Sequence, residues 1–394
     1  MFLLVPNREC LTKMEDIMLK EASYLMPTLL LVLFSDGVSQ KSLICPSSYR
    51  RVIINPAMKV SELGEFGLID LLAKMVSGAR DEQTASWQQL LIGIGDDTAV
   101  WRGDTTTQLA TVDSFVQGVH FYPGIASWKE LGWKALAVSL SDIAAMGGAP
   151  RYVLVSLVLP LDTEVDDVTA LYTGMLELAS QFGVAIIGGD ISSSSLVGIT
   201  TMVLGSAKER DKNILTRASA EPGDSVAVTG NLGTAAAGLE MITKRLQFDP
   251  EAMVCLKKAF LSPYPRGVEG QLLVARGVKT AIDISDGLIS DLNQLCKASR
   301  VGARIEVDRV PIESAVKANF GDKSLELALS GGEDYELLFT ARPEVINKVK
   351  KDVSCSITVI GEIIADKTTR ITLLDRKGNS FNLGKVGWEH FTAR

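Results

Sequence analysis

Histidine and cysteine are scarce in this chain of 394 residues, which has two histidines, His120 and His390, and five cysteines, at 10, 45, 255, 296 and 355. Chemistry built on several imidazoles is therefore excluded. With no CxxC pair, neither a zinc site nor a disulfide framework is legible, and a reducing, cytoplasmic setting fits best. An apolar stretch at 24–34 is broken by Pro27 and falls well short of the roughly 20 residues that cross a bilayer. No membrane association is expected. Positive charge is in the minority, 40 Lys plus Arg against 47 Asp plus Glu, for a net charge of -7. That balance argues against nucleic acid as a partner, because backbone binding needs clustered cations. Also missing are GxxxxGKS or GxxxxGKT for a phosphate loop, a complete GxGxxG, the HRD and DFG of protein kinases, and GxSxG.

What is there has an ordinary globular composition, 46% hydrophobic and 22% charged, and a length that predicts two domains. Residues 1–57 differ from the rest. A signal peptide is one reading, since Lys13 and Lys20 precede the apolar run, but Glu15, Asp16 and Glu21 spoil its positive region and no cleavage site follows. The bulky Ile44 argues against lipid attachment at Cys45. An extension of unclear role is expected there, with Met58 as the natural start. From Ser61 onward apolar runs alternate with helical patterns, which predicts an α/β or α+β fold. A short helix is expected after Gly64, and another over 127–146, opened by Ser127 with Glu130 three residues on, as in a capping box. A third is expected over 165–182, with strands over 152–159, 184–187, 200–204 and 225–229. The polar stretch at 208–213 is the expected boundary between domains 58–208 and 209–394.

Carboxylates at the ends of apolar runs carry the functional signal. Asp96 and Asp97 follow 90–92, Asp113 follows Thr111 and Val112, and Asp190 follows Gly188-Gly189. Asp283 and Asp286 lie in IDISDG, and Glu333 and Asp334 in SGGED. Each such pair taken alone reads more readily as a turn; five in one chain suggest that backbone and carboxylate together approach a ligand. Asp142 adds a different argument. It shares a helical face with Leu131, Ala135 and Val138, so it should be buried, and then paired with a cation or bound to one. Two charges 4 Å apart at an effective dielectric near 20 repel by roughly 4 kcal/mol. If these acids converge, a hard, oxygen-preferring ion such as Mg²⁺ belongs between them, and phosphoryl transfer from ATP is the leading class.

The strings GEF (64–66), GIGDD (93–97), VDSFVQGVHF (112–121), WKALAVSLSDIAAMGGAP (133–150), IIGGD (186–190), LTR (215–217), IDISDGLISDL (282–292), SGGEDYELLF (330–339) and GWEHF (387–391) occur in this order. Through them the chain from about Gly64 to its end resembles the thiamine-monophosphate kinase family, within the aminoimidazole-ribonucleotide-synthetase-like superfamily. The resemblance implies two α/β domains, with N-terminal sheets pairing into the β-barrel of a homodimer. It implies phosphorylation of thiamine monophosphate by ATP with several Mg²⁺ ions. Carried over by position, Asp97, Thr111, Val112, Asp113, Asp142, Asp190, Asp283 and Asp286 are implied metal-site residues. Tyr172, Gly189, Asp190, Arg217 and Ser285 are implied to contact ATP, and His120, Glu333 and Trp388 the thiamine substrate. Asp96 and Asp334 stand beside such positions.

No covalent or acid–base residue is expected, because a phosphate monoester with a second pKa near 6 is already deprotonated at neutral pH. Ser285 and Asp286, at the start of a helix, are expected to offer N–H groups to phosphate or to metal-bound oxygen. Arg217 is expected to grip a phosphate, unless it forms an ordinary surface salt bridge. The alternatives are another superfamily synthetase, such as aminoimidazole-ribonucleotide synthetase, or a nucleotide-binding regulator without catalysis.

Overall fold

The structure, a computed structural model, describes residues 58–94, 98–103, 105–122, 124–207, 214–383 and 387. The expectations for residues 1–57, the 208–213 boundary, Asp96, Asp97 and Trp388 lie outside them.

The first half runs α1 (Val60–Gly78), α2 (Ala85–Gln89), β1 (Leu90–Ile92), β2 (Val100–Trp101), β3 (Gln108–Val116), α3 (Trp128–Ala145), β4 (Ala149–Leu159), α4 (Val165–Phe182), β5 (Ala185–Ser193) and β6 (Gly198–Ser206). Its main sheet has the order β3-β6-β4-β5, with β4 and β5 parallel and the other pairs antiparallel. Helix α4 has the bounds read from the sequence. Helix α3 opens with the anticipated capping box, Ser127 N–H donating to Glu130 Oε2 at 2.8 Å and Glu130 N–H to Ser127 Oγ at 3.3 Å. Helix α1 starts earlier than expected, because the chain passes through Gly64 in a left-handed conformation and resumes the helix.

The second half runs β7 (Ser225–Thr229), α5 (Thr234–Lys244), α6 (Pro250–Leu261), α7 (Gly267–Ala275), β8 (Thr280–Asp283), α8 (Leu288–Ser299), β9 (Gly302–Glu306), α9 (Ser314–Phe320), α10 (Lys323–Ser330), β10 (Leu337–Ala341), α11 (Pro343–Asp352), β11 (Ile357–Ile364) and β12 (Ile371–Leu374). These strands form one sheet of order β12-β9-β11-β7-β10-β8. The mixed α/β architecture in two halves is the expected fold class.

Two strand expectations need correction. The Gly188-Gly189-Asp190 string lies inside β5, and Asp113 lies in the middle of β3. Pairing with β6 and β4 carries both strands beyond their apolar stretches, since a neighbour's hydrogen bonds, not hydrophobicity, decide where a strand stops. The apolar run before Glu333 and Asp334 is the end of a helix, α10.

Helix α3 joins the halves. It is buried on nearly every side, as a central helix is. Against α7 the approach is close enough that a Cβ on Gly270 would stand 2.0 Å from the Ala144 carbonyl oxygen. Leu215 N–H donates to Met146 O at 3.1 Å, and Ala145 packs in a cluster with Leu215, Leu273 and Phe339.

Candidate active site

One face of β3 and one face of α3 place oxygen ligands opposite each other. Alternation along β3 puts Thr111 and Asp113 on the inner face, where the Thr111 hydroxyl donates to Asp142 Oδ2 and Ser139 donates to Asp113 Oδ2 at 2.9 Å. Val112 points the other way and is exposed, so only its backbone is available to a ligand on the inner side. Asp142 is half-buried on the stripe read from the sequence. From the second half Asp283, at the end of β8, accepts a hydrogen bond from Ser141 of α3 at 2.7 Å.

The electrostatics follow from this proximity. Burial and then the charge of Asp142 push the Asp113 carboxyl upward, and the same two causes carry Asp283 up to about 7. Burial raises Asp142 too, while the Thr111 hydrogen bond and the Arg217 charge oppose the rise. The buried Tyr335 hydroxyl is driven well above its ordinary value, first by burial and then by Glu333, Asp283, Asp113 and Asp142. Four carboxylates from both halves thus act on one phenol.

Asp286 and Ser285 follow in the loop before α8. Their N–H groups do not await a phosphate, contrary to the expectation. Those of Ser285, Asp286 and Gly287 all donate to Asp291 Oδ2, at 3.0, 3.1 and 3.1 Å, leaving side chains as what Ser285 and Asp286 present. Asp291 is buried, and burial followed by the charges of Asp283 and Asp286 pushes it up to about 8 despite those N–H donors.

Other implied residues lie further apart. Asp190 faces Ser156 across β4–β5, in the row that continues through Thr200 to Ser114, whereas Asp113 pairs with Thr201. It therefore sits on the sheet face opposite Asp113. Gly189 has its backbone tight against β4, a Cβ there standing 1.8 Å from the Val155 carbonyl oxygen. Tyr172 is buried in the first-half core. Arg217 is exposed and donates to Gln294 Oε1 at 2.9 Å. His120 stacks on Phe115 at 5.4 Å, and its Nδ1 accepts from Val116 N–H at 3.1 Å, so that nitrogen carries no proton. Asp334 is a cap for α5, accepting from Gly233 N–H at 2.7 Å and Ala235 N–H at 3.2 Å. A cleft of about 770 Å³ opens elsewhere, beside Lys129, Trp133, Lys257 and Tyr264, and none of the implied residues lines it.

Among the described residues no three His, Cys, Asp or Glu side chains form a complete metal-binding group. The donors still suit a hard dication. They are oxygens alone, and the buried carboxylates repel one another.

This repulsion has a measurable consequence without divalent cations. Asp283 and Asp291 bind protons more tightly folded than unfolded, where an Asp titrates near 3.9. Between about pH 4 and 8 the native state then holds more protons, so stability falls as pH rises. Each unit is worth about 1.4 kcal/mol, and the melting temperature in a chelator should be roughly 5 °C or more lower at pH 8 than at pH 5.5. Melts that are flat or rise with pH would contradict the crowding of these acids.

Fold and site define an AIR synthase related protein. The N-terminal domain family of that description matches residues 95–207, and the C-terminal domain family matches residues 221–373. The chain is 33% identical over 338 residues to the thiamine-monophosphate kinase of Aquifex aeolicus, covering 85% of this chain and all of that one. It is 38% identical over 342 residues to the Escherichia coli K12 enzyme of the same name, covering 84% and 99%. Among solved structures, thiamine-monophosphate kinase from Stenotrophomonas maltophilia superposes with a TM-score of 0.69 at 32% identity, covering 80% of this chain and 98% of that one. The AaThiL complex with AMPPCP and TMP gives 0.66 at 32%, covering 86% and 100%. The chain belongs to the thiamine-monophosphate kinase family.

Proposed function

We infer that the protein transfers the γ-phosphoryl group of ATP directly to the phosphate of thiamine monophosphate, giving thiamine diphosphate and ADP. The observation that carries this reading is that helix α3 holds its own Asp142 against Thr111 of β3 while its Ser139 and Ser141 reach Asp113 and Asp283, acids from the two halves of the molecule. Such a site suits chemistry that needs charge neutralisation and positioning more than proton transfer. Asp113, Asp142 and Asp283, with Thr111, Asp286 and Asp97, would hold Mg²⁺. Magnesium, when bound, neutralises the phosphates and stabilises the departing ADP. The chain's own residues keep the carboxylates in place: Thr111, Ser139 and Ser141 each hold one by a hydroxyl, and Asp291 fixes the loop that carries Asp286. Asp190, Gly189, Tyr172, Arg217 and Ser285 are assigned to ATP; His120, Glu333 and Trp388 to the thiamine moiety.

We place the enzyme in the cytoplasm as a homodimer. Among the described residues no helix is long and apolar enough to cross a membrane, and Cys255, Cys296 and Cys355 are free thiols. The outer face of the first sheet exposes Val112 and Met202, with Leu91, Ile92 and Trp101 of the neighbouring two-stranded sheet also exposed. Apolar surface of that kind marks a contact between subunits and supports sheet-to-sheet pairing in a barrel.

The substrate assignment is tested at Trp388. A cation on an aromatic face gains roughly 0.5–2 kcal/mol, and thiazolium is a cation. Trp388→Ala should raise the KM for thiamine monophosphate about three- to thirty-fold and leave that for ATP nearly unchanged, with His120→Ala acting in the same direction. A weakened ATP site with unchanged thiamine monophosphate would show the pocket to be misassigned, and formylglycinamidine ribonucleotide would be the next substrate to try.

A further inference from the structure

Lys134 of α3 has 2% of its side chain exposed, a place where an ammonium needs compensation. Its Nζ lies 3.5 Å from the centre of the Phe260 ring in α6 and 5.8 Å from that of Phe115 in β3. Glu333 Oε1 stands 3.0 Å away. That distance makes an ion pair, although the angles fall outside a hydrogen bond, so charge and two aromatic faces hold the ammonium rather than directed bonds. Lys134 and Phe115 belong to the first half, Glu333 and Phe260 to the second.

Glu333 is itself held in an uncommon way. Its backbone has φ +69°, a left-handed conformation that a non-glycine residue keeps only when its surroundings impose it. Its N–H donates to Ser285 O at 2.8 Å, which ties it to the loop bearing Asp286. The side chain keeps 26% exposure, so the carboxylate is engaged from the protein side and open on the other.

We propose that Lys134 is a positioning residue for substrate choice: its ion pair with Oε1 orients the Glu333 carboxylate so that the remaining oxygen faces the cationic ring of the thiamine substrate. The assignment rests on Glu333 lining that pocket. A fixed carboxylate attracts a thiazolium and discriminates against neutral or anionic acceptors. Lys134 thereby also links the packing of the two halves to the pocket, since Phe260 and Glu333 share its ammonium.

The experiment compares Lys134→Met, Glu333→Gln and the double variant in the full chain, with KM for each substrate, kcat and melting temperature. Met keeps the stem between Phe260 and Phe115 and removes the charge. Each single variant should raise the KM for thiamine monophosphate about tenfold, on the order of the attraction lost when one charge of a close, partly exposed pair is removed. The ATP KM should stay within about twofold of the parent, and the double variant should be no worse than the weaker single one. A raised KM in Glu333→Gln beside an unchanged one in Lys134→Met overturns the positioning role, even if the melting temperature falls. An unchanged KM in Glu333→Gln instead removes Glu333 from the pocket, and the inference falls with that reading. If Lys134→Met does not fold, Lys134→Arg, which retains and displaces the charge, is judged by the same criterion.

Discussion

Asp142→Asn is expected to lower kcat by about 10²–10³, the scale seen when one preorganised electrostatic contact to a transition state is lost. The amide still accepts from the Thr111 hydroxyl, which donates to Asp142 in the parent, so the β3–α3 contact persists. What disappears is a negative charge that currently raises the carboxyls of Asp113 and Asp283. Two measurements should therefore move in opposite senses. Turnover at saturating ATP and thiamine monophosphate falls and its magnesium response weakens, while the melting temperature in a chelator at pH 8 rises. A kcat within about threefold of the parent would place the chemistry elsewhere.

Arg266→Ala should produce the largest loss of stability, about 3–5 kcal/mol, because it strands a buried carboxylate. Arg266 grips Glu336 with two bonds, Nε to Oε2 at 2.6 Å and Nη2 to Oε1 at 2.5 Å, and Thr229 adds a third at 2.6 Å. Glu336 is 7% exposed and directly follows Tyr335, around which the site carboxylates gather. Its backbone oxygen accepts from Ile284 N–H at 2.8 Å, so the damage should spread to the end of β8, which carries Asp283, and to the loop carrying Glu333. Denaturant melts give the size. Arg266→Ala with Glu336→Leu should recover part of the loss, as paired removal of a buried ion pair does; a single-variant loss below about 1 kcal/mol would show that water reaches Glu336.

Much of this was legible in the sequence because it is local. The Ser127–Glu130 box fixes where α3 begins, and the stripe of Leu131, Ala135 and Val138 gives the half-buried place of Asp142. The same stripe carries Lys134, three residues after Leu131, and a cation there was as anomalous as the aspartate. Asp291 gave no such sign, since a carboxylate six residues after Ser285 folds back on the loop only through a tight turn at Gly287. Nothing local in the sequence singles out Tyr335; its place near four carboxylates depends on how two distant halves dock. Strand ends are not legible in the sequence because pairing partners, far off along the chain, extend β3 and β5 past their apolar residues. Asp190 and Asp113 look equivalent as acids closing apolar runs, and only strand register separates them onto opposite faces of the sheet.

The most direct test is to follow the reaction by phosphorus NMR, with the full chain, ATP, thiamine monophosphate and Mg²⁺. The account predicts that resonances of thiamine diphosphate and ADP grow in equal amounts, at a rate set by enzyme concentration, and that both stop when magnesium is chelated. ADP accompanied by inorganic phosphate, with thiamine monophosphate untouched, would contradict it.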